Sequence, residues 1–320
     1  MRTMELDILE RSRHWCGEDL SPWLCTIVRA VGSSPRPVGS MLCCLASGEQ
    51  VGSLSGGCVE EDLLERIQQG KIDRKKPQIV EYGVSPEDNE KLGLPCGGRL
   101  FVLVQQLDQT DISWIEKAVA AIQQRHCIER RLNLETGATE TAHVEHFTHL
   151  MQDTDSLRQC FGPKMRMLLV GAGQLAQSLA ELALAMDYEV LVTDTRQATL
   201  NQWMGPEVPL LQGMPDDIVR AHAADSFSIV ITLTHDPRID DMALMEALNT
   251  DAWYVGALGS ERTTEKRLRR LRALELDESA IAKLHAPVGL AIGSKTPLEI
   301  AVAIMAELTQ LRRGSVSEAP

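Results

Sequence analysis

The segment from Arg166 to Arg196 constrains the fold of this 320-residue chain more than any other stretch. It reads RMLLVGAGQLAQSLAELALAMDYEVLVTDTR: an apolar run, a glycine-rich turn, a run with helical periodicity and a second apolar run. Strand, helix and strand in this order predict a parallel β-α-β unit. Further on, SIVITLTH and AWYVGALGS predict two more strands, each followed by a helix. We therefore expect an α/β fold with a Rossmann-like domain of parallel strands over 166–313 and a tail over 314–320.

The glycine turn carries the pattern G-x-G-x-x-A, which predicts a nucleotide site. Gly171 makes the tight turn, Gly173 lets the backbone approach a pyrophosphate, and Ala176 lets the helix pack on the strand. Asp194 closes the next strand, where an acidic residue suits a ribose hydroxyl, whereas Arg196 would instead favour a 2′-phosphate. The competing interpretation is a Rossmann scaffold that binds nothing at this place, or binds another phosphate-bearing ligand.

His235 and Asp236 follow a predicted central strand, at the position where open α/β sheets place their ligands. Together with Asp240 and Asp241 they fit an acid/base pair or a metal cluster. They also fit a loop whose aspartates cap the next helix, and the frequency of aspartate at helix starts favours this interpretation. The sequence predicts no catalytic residue and no metal-ligand set with a recognised spacing.

The helix predicted after AWYVGALGS is strongly basic, with the sequence ERTTEKRLRRLRAL. Ser260 can cap it and leave backbone N–H groups free for an anion. The helix is either a solvated surface or part of a site for a phosphate or a partner. Arg262, in its first turn, is the side chain expected to reach a ligand.

Residues 1–150 predict a mixed α/β domain that differs from the second. WLCTIVRAV, PQIVEYGV and RLFVLVQQL predict strands, MLCCL and QVGSL a hairpin, and CVEEDLLERIQQG a helix. DISWIEKAVAAIQQRH predicts a further helix with Asp111 as its cap. The stretch 151–165 is polar and aperiodic, and we interpret it as a linker between the two domains.

The loop GSSPRPVG in this first domain combines hydroxyls, backbone N–H groups and a guanidinium, through Ser33, Ser34 and Arg36. Such groups suit a bound phosphate. The alternative is an ordinary surface turn, since glycine, serine and proline are frequent in turns.

Two short motifs, GGC and CGG, each hold a cysteine beside a glycine pair. They comprise Gly56, Gly57 and Cys58, and Cys96, Gly97 and Gly98. Paired glycines permit a close approach of the backbone to a ligand, and a cysteine at a helix start is favoured as a thiolate. Glu60 and Glu61 oppose that effect at Cys58, and each cysteine fits a buried structural role equally well.

Composition narrows the environment and the partners. The formal net charge of −13 argues against nucleic acid and anionic membranes as partners. The eight cysteines form no C-x-x-C, and the first residues carry frequent charges and no apolar core typical of a signal peptide. We therefore expect reduced thiols and a cytoplasmic protein.

The motifs VRAVGSSPRPVGSML, GSLSGGCVEEDL, PCGG, LLVGAGQLAQSLAELA, LTHDPRIDD, YVGALGSERTTEKRL and HAPVGLAIGSKTPLEIAVAIMAEL resemble, in the same order, those of the XdhC/CoxI family. The resemblance implies an accessory factor for molybdenum hydroxylases such as xanthine dehydrogenase. It implies binding of the molybdenum cofactor, help with its sulfuration by a cysteine desulfurase, and delivery to the apoenzyme. It also implies a cytoplasmic homodimer, and a carrier rather than an enzyme.

Three positions depart from the family's usual pattern, and all lie near its expected crevice. Gln174, in the predicted nucleotide-binding turn, stands where the family usually has histidine. Ala291 takes an acidic position, and Glu261 replaces an arginine. These departures concern the ligand of the second domain and leave the cysteine motifs of the first unchanged.

The resemblance gives Cys58 and Cys96 a role as contacts to molybdenum or its terminal sulfur, because soft thiolates suit such a centre. One alternative function is an NAD(P)-dependent oxidoreductase with His235 as proton donor. Another is a molybdopterin nucleotidyltransferase built on the GSSPRPVG loop. The sequence leaves open the client hydroxylase, the mono- or dinucleotide form of the pterin, and the choice between NAD and NADP.

Overall fold

A computed structural model describes residues 4–32, 36–83 and 98–314. The chain divides into two compact units, Met1–Pro163 and Lys164–Pro320. Each unit contains its own sheets and its own buried cores. The predicted sequence of a mixed α/β domain followed by a parallel α/β domain is thereby confirmed.

An antiparallel five-stranded sheet forms part of the first unit, in the order β3-β2-β1-β5-β4. Its strands are β1 (Trp23–Val31), β2 (Met41–Cys44), β3 (Gln50–Gly52), β4 (Gln78–Tyr82) and β5 (Arg99–Gln106). The predicted hairpin is β2–β3, with Cys43 paired to Val51. The first six of the nine residues of β1 are buried, which explains its largely apolar sequence.

A second antiparallel sheet of the same unit has the order β7-β6-β9-β8. Its strands are β6 (Cys127–Asn133), β7 (Thr139–Val144), β8 (Met151–Gln152) and β9 (Ser156–Phe161). The segment 151–165 therefore differs from the predicted linker, since it supplies two strands of this sheet. The sequence signal of β9 is weak because charged and polar residues alternate with the buried Leu157 and Phe161.

Three α-helices lie in the described part of the first unit: α1 (Met4–Gly17), α2 (Cys58–Gln68) and α3 (Ile112–Gln123). Helix α2 buries Val59, Leu63 and Ile67 against one face of the five-stranded sheet. Helices α1 and α3 share a second core with the sheet residues that face the other way. The helical spacing of the apolar residues thus decides which face of each helix is covered.

Six parallel strands form the sheet of the second unit, in the order β12-β11-β10-β13-β14-β15. They are β10 (Arg166–Val170), β11 (Glu189–Asp194), β12 (Leu210–Gln212), β13 (Ser228–Thr232), β14 (Tyr254–Ala257) and β15 (Leu284–His285). In chain order this is the 3-2-1-4-5-6 arrangement of dinucleotide-binding folds. The strand order reverses between β10 and β13, and ligands of such sheets bind at that point.

Seven described helices accompany this sheet: α4 (Gln174–Ala185), α5 (Gln197–Leu200), α6 (Pro215–His222), α7 (Pro237–Ala247), α8 (Glu261–Ala273), α9 (Glu278–Ile281) and α10 (Pro297–Gly314). Helices α4 and α10 pack in one core, and α6, α7, α8 and α9 contribute to another. Over the described residues, every helix is too short or too polar to cross a membrane.

Candidate functional site

The loop Ser53–Gly57, just before α2, is organised around the carboxylate of Glu60. Backbone N–H groups donate to this carboxylate at 2.8–3.1 Å, those of Leu54, Ser55, Gly56 and Gly57. The hydroxyl of Ser53 donates at 2.9 Å, and that of Ser55 also donates. Glu60 is only 4% exposed. A glutamate in the first turn of the helix therefore fixes the loop that precedes it.

Burial alone would raise the pKa of Glu60, since it disfavours the charged form. The hydrogen bonds from the Ser55 side chain and from the backbone of Ser55, Gly56 and Leu54 outweigh burial, and they hold this pKa well below its usual range. The Glu60 carboxylate, whose charge we expected to oppose a reactive Cys58 thiolate, is thus surrounded by hydrogen-bond donors.

Cys58 begins α2, and its side chain is exposed, whereas the other described cysteines are buried. Gly56 and Gly57 have φ values of +102° and +153°, which side chains rarely adopt. A Cβ atom added at either glycine would meet no atom of the described residues within 4 Å. The glycines are therefore required by the backbone turn, and the described part of the chain leaves one side of the Cys58 loop open.

The structure brings the start of the GSSPRPVG loop and the end of the PCGG motif together. Val31 pairs with Arg99 across β1 and β5, and a Cβ atom at Gly32 would lie 3.4 Å from Cα of Gly98. Ser33, Ser34, Cys96 and Gly97 lie outside the described residues. The two glycine motifs, 66 positions apart for Gly32 and Gly98, nevertheless meet at one edge of paired strands.

Arg36 and Ser53 line one cavity of about 240 Å³ in the first unit. Ser53 links this cavity to the Cys58 loop, because its hydroxyl donates to Glu60. Cys160 and Gln159 also border the cavity, and both are almost fully buried. Arg36, which the sequence predicts to bind phosphate, therefore lines the same cavity as Ser53 of the loop before Cys58.

In the second unit, a cavity of about 450 Å³ lies at the ends of β10, β11 and β13. It is lined by residues of four turns: Val170, Gly171, Thr193–Arg196, Gly213, Pro215, Thr234–Pro237 and Ile239. This is the place where the strand order reverses. The sequence-predicted Gly171, Asp194, Arg196 and His235 all line it, so the structure gathers them at one cavity.

The residues of the glycine turn have different roles. Gly171 has φ +110°, and a Cβ atom there would lie 2.9 Å from Cγ2 of Thr234. Gly173 has an ordinary φ of −85°, and an added Cβ would meet none of the described residues within 4 Å. Ala176 is fully buried in the core, and Gln174 is exposed at the first position of α4. The first glycine and the alanine are needed for packing, while Gly173 leaves space beside the helix start.

Asp194 is engaged by its own unit rather than left open for a ribose. Its carboxylate accepts the backbone N–H of Ala172 at 3.2 Å, and the Nε and Nη2 of Arg196 at 3.0 Å each. Burial would raise its pKa, but the bonds from Arg196 and Ala172 lower it. Arg196 is 68% exposed at the cavity. A nucleotide that binds Asp194 must therefore hydrogen-bond a carboxylate to which Arg196 already donates.

The acidic residues after His235 serve the helices. Asp236 caps α7 by accepting the N–H of Arg238 at 3.0 Å. Asp240 accepts the Thr234 hydroxyl at 2.7 Å and pairs with Arg267 at 3.0 Å. His235 itself is exposed at the cavity. This arrangement supports the capping interpretation, and over the described residues no group of three candidate ligands is placed to hold a metal.

The basic helix α8 is partly structural. Arg267 is 2% exposed and pairs with Asp240, and Arg270 pairs with Asp241. Ser260 caps the helix by accepting the N–H of Thr263, and Arg262 is exposed in the first turn. The alternation of buried and solvated arginines explains why composition alone could not decide between a surface and a site.

Sequence reasoning missed a partly buried cluster next to the segment GLAIGSK. Glu307 of α10 accepts the Tyr254 hydroxyl at 2.9 Å and the Gly289 N–H at 2.6 Å, and its other oxygen lies 2.9 Å from Nδ1 of His285. His285 and Tyr254 stack with ring centroids 4.3 Å apart. The position of Glu307 on the partly buried face of α10 was the available signal.

Two family models match the chain. One, described as the XdhC Rossmann domain, matches residues 167–308, and the other, described as the XdhC and CoxI family, matches residues 15–83. The first match covers the cavity at β10, β11 and β13, and the second covers Arg36 and the Cys58 loop.

Two relatives and one solved structure are similar to this chain over most of its length. A protein of Bacillus subtilis described as a probable xanthine dehydrogenase subunit is 27% identical over 314 residues, which span 91% of this chain and 93% of that protein. The molybdenum cofactor insertion chaperone PaoD of Escherichia coli is 25% identical over 293 residues, 90% of this chain and 83% of that protein. A crystal structure described as a xanthine dehydrogenase from Bacillus halodurans has a TM-score of 0.73 at 26% identity, and covers 99% of this chain and 98% of its own.

Proposed function

The chain belongs to the XdhC and CoxI family, and on that premise we propose that it binds the molybdenum cofactor as an accessory factor for a molybdenum hydroxylase. The name of the relative PaoD supports the insertion role, and that of the Bacillus subtilis relative supports xanthine dehydrogenase as the client type. We further propose that the protein presents the cofactor for sulfuration and then delivers it to the apoenzyme.

The observation that carries this proposal is the exposed thiol of Cys58 on a loop that is held rigidly and open on one side. The Glu60 carboxylate fixes the loop by accepting hydrogen bonds from its backbone N–H groups. Gly56 and Gly57 place no side chains next to the thiol. A thiolate is a soft ligand, which suits molybdenum bound through sulfur. Cys58, with Cys96 as the second proposed thiol, would contact the metal or its terminal sulfur.

The pterin carries a phosphate, and we assign the anion contacts to the first unit. Arg36 borders a cavity with Ser53, next to the loop of Cys58. Ser33 and Ser34 adjoin Arg36 in the chain, and Gly97 and Gly98 follow Cys96, so we include them in the proposed set. Arg262, exposed on α8, is proposed as an additional contact to the anionic cofactor.

The cavity of the second unit is proposed to hold a nucleotide, either the nucleotide half of a pterin dinucleotide or NAD(P). Gly171, Gly173, Gln174, Ala176, Asp194, Arg196 and His235 form the proposed set. The strand reversal supports a ligand here, and the Asp194–Arg196 ion pair governs which ribose substituent is accepted. A cysteine desulfurase partner, a homodimer and a cytoplasmic location complete the proposal.

The test is to purify the full chain from cells that make the cofactor, and to assay bound pterin by oxidation and fluorescence and molybdenum by mass spectrometry. We expect roughly stoichiometric pterin in the unmodified chain. Cys58→Ser should lower bound molybdenum and its exchangeable sulfur by about tenfold, the size typical for a lost group at a metal site. Cys96→Ser is the parallel variant.

Glu61→Gln is the matched control, because Glu61 is an exposed residue of the same helical turn without a thiol. It should bind as the unmodified chain does. Full loading in both cysteine variants would remove the thiols from the proposal. Nucleotide without any pterin would overturn the carrier function and favour an oxidoreductase with His235 at its cavity.

A further inference from the structure

A cavity of about 990 Å³ lies in the first unit, with none of its lining residues in the Cys58 loop. Four segments line it: the residues before β4, the end of β5, the start of α3 and the β6–β7 turn with the first half of β7. Gly137 of that turn would carry a Cβ atom 3.5 Å from Cδ of Pro77. The turn therefore touches the segment before β4 and closes one side of the cavity.

Four cationic side chains border this cavity: Arg74, Lys75, Lys76 and Lys117. All are exposed, and none makes an ion pair with any residue that the structure describes. Elsewhere in the described chain, many arginines pair with carboxylates, as Arg66 does with Asp62 and Arg166 with Glu189. Unpaired positive charge thus collects at one cavity of an acidic protein.

Two of the acidic side chains at the cavity are committed to local bonds. Asp108 accepts the backbone N–H and the hydroxyl of Thr110 at 2.7 and 2.6 Å. Asp111 accepts the indole N–H of Trp114 at 2.8 Å and the N–H of Asp108 at 3.0 Å. Glu140 is the further carboxylate of the lining. These bonds fix the two carboxylates in position by local donors, without an ion pair to the cationic side chains that the structure describes in the lining.

A buried cation lies behind the lining. Arg130 is 1% exposed, pairs across the ladder with Thr141, and so lies on the same face of the sheet as that cavity residue. Its Nη2 donates to Gln105, and its guanidinium lies 4.0 Å from the ring centroid of Trp114. Both partners line the cavity.

Arg130 is incompletely satisfied. Among the described residues its Nε has no hydrogen-bond partner, and neither has the buried hydroxyl of Thr139 in the lining. Burial lowers the pKa of Arg130 to about 10, against the effect of Asp111, so the side chain stays charged at neutral pH. A buried charge is screened less than an exposed one, and its field reaches the cavity.

We propose that this cavity binds a phosphate-bearing organic anion of about mononucleotide size. Its volume falls in the range of small-molecule sites. The cationic border and the buried guanidinium select negative charge, and guanidinium and ammonium groups are the usual partners of phosphate. The closed side formed by Gly137 and Pro77 favours a compact ligand over an extended acidic peptide.

The experiment is a calorimetric titration of the full chain with pyrophosphate and with ADP at low ionic strength. The triple variant Lys75→Gln, Lys76→Gln, Lys117→Gln should weaken one binding event by at least about tenfold, because charge-assisted bonds to phosphate are lost. The control Lys266→Gln, Arg269→Gln removes exposed cations of α8 and should bind as the unmodified chain does. Added salt should weaken the same event.

Three outcomes overturn the proposal. The first is the absence of any binding of either probe. The second is binding that the triple variant leaves intact while Gly173→Ala abolishes it, which assigns the event to the cavity of the second unit. The third is binding of polyglutamate with none of pyrophosphate or ADP. Pterin loading is measured separately, so failure here leaves the accessory function untouched.

Discussion

Glu60 illustrates how one side chain gives a loop its shape. Its carboxylate accepts hydrogen bonds from four consecutive backbone N–H groups and two hydroxyls. These bonds hold the loop before α2 in its conformation. Buried carboxylates are tolerated when every lone pair finds a donor. The exposure of Cys58 depends on this enclosed charge two positions along the helix.

We predict that Glu60→Gln lowers the free energy of unfolding at pH 7 by about 1–3 kcal/mol, because an amide leaves buried donors without an acceptor. The folded-state pKa of Glu60 is depressed. Its contribution is therefore fully present above about pH 4.3, the ordinary glutamate value, and is lost as the pH falls through the folded-state pKa. Urea unfolding of the unmodified chain and of Glu60→Gln at pH 7, 5 and 3 measures the difference between their free energies of unfolding.

The difference in free energy of unfolding between the unmodified chain and Glu60→Gln should narrow toward pH 3, because the Glu60 carboxyl of the unfolded chain then takes up a proton while the folded one still holds its charge. Glu61→Gln, exposed in the same turn, is the control and should change stability much less. An equal loss for both variants at every pH would show that the enclosed carboxylate does not stabilise the loop.

At this scale the sequence predicted the residue types of the sites better than their partners. The G-x-G-x-x-A turn, the cap at Asp236 and the start of α2 at Cys58 agree with the structure. Asp111 precedes α3 as predicted, but its side chain bonds Trp114 and the N–H of Asp108 rather than the helix start. Such choices depend on tertiary neighbours, which spacing along the chain does not encode.

Among the elements, the strongly periodic ones were predictable, whereas several short ones were not. The predicted parallel strands β10, β11, β13 and β14 are confirmed, because long apolar runs specify buried strands. Strands β12 and β15, of three and two residues, lack such a run. Strand β9 was missed because its pattern mixes charge with alternation, so it resembled a linker.

Helices α7 and α8 are joined by ion pairs whose burial differs sharply from that of the exposed pair at the start of α7. Arg267 and Asp240 are 2% and 3% exposed, whereas Arg238, paired with Asp236, is 88% exposed. Asp240 also accepts from Thr234, the residue that touches Gly171. The buried pair therefore connects the basic helix with the turn that carries His235.

We predict that Arg267→Met destabilises the protein by about 3–5 kcal/mol, because it leaves the buried Asp240 carboxylate without its cation. Arg238→Met is the matched control and should have a far smaller effect, since exposed pairs are screened by solvent. Denaturant midpoints and slopes give both values. A similar cost for the two variants would exclude the buried pair as a major stabilising contact.

The whole molecule contains two compact units, and each buried core lies within one of them. Leu157 and Phe161 of β9 belong to cores of the first unit. The resemblance identified the family correctly because its motifs span both units. The ligands are proposals, because the residue patterns that specify the fold do not specify which ligand is bound.

We predict that each unit folds by itself when the chain is divided between Pro163 and Lys164. Circular dichroism and cooperative unfolding of the fragments 1–163 and 164–313 provide the measurement. The shorter fragment 1–152 is the control, and it should fail to fold cooperatively because it lacks β9, the partner of β6. Normal folding of 1–152 would restore the linker interpretation of 151–165.

The two glycines of the turn after β10 offer an unequal pair of probes. Alanine at Gly171 must push against Thr234 and, through it, shift the loop of His235 and the bond to Asp240. Alanine at Gly173 meets no neighbour in the part of the chain that the structure describes, and it adopts an allowed backbone angle. A binding defect in Gly173→Ala at an unchanged melting temperature therefore reports on the ligand, whereas the same defect in Gly171→Ala reports on the protein's internal packing.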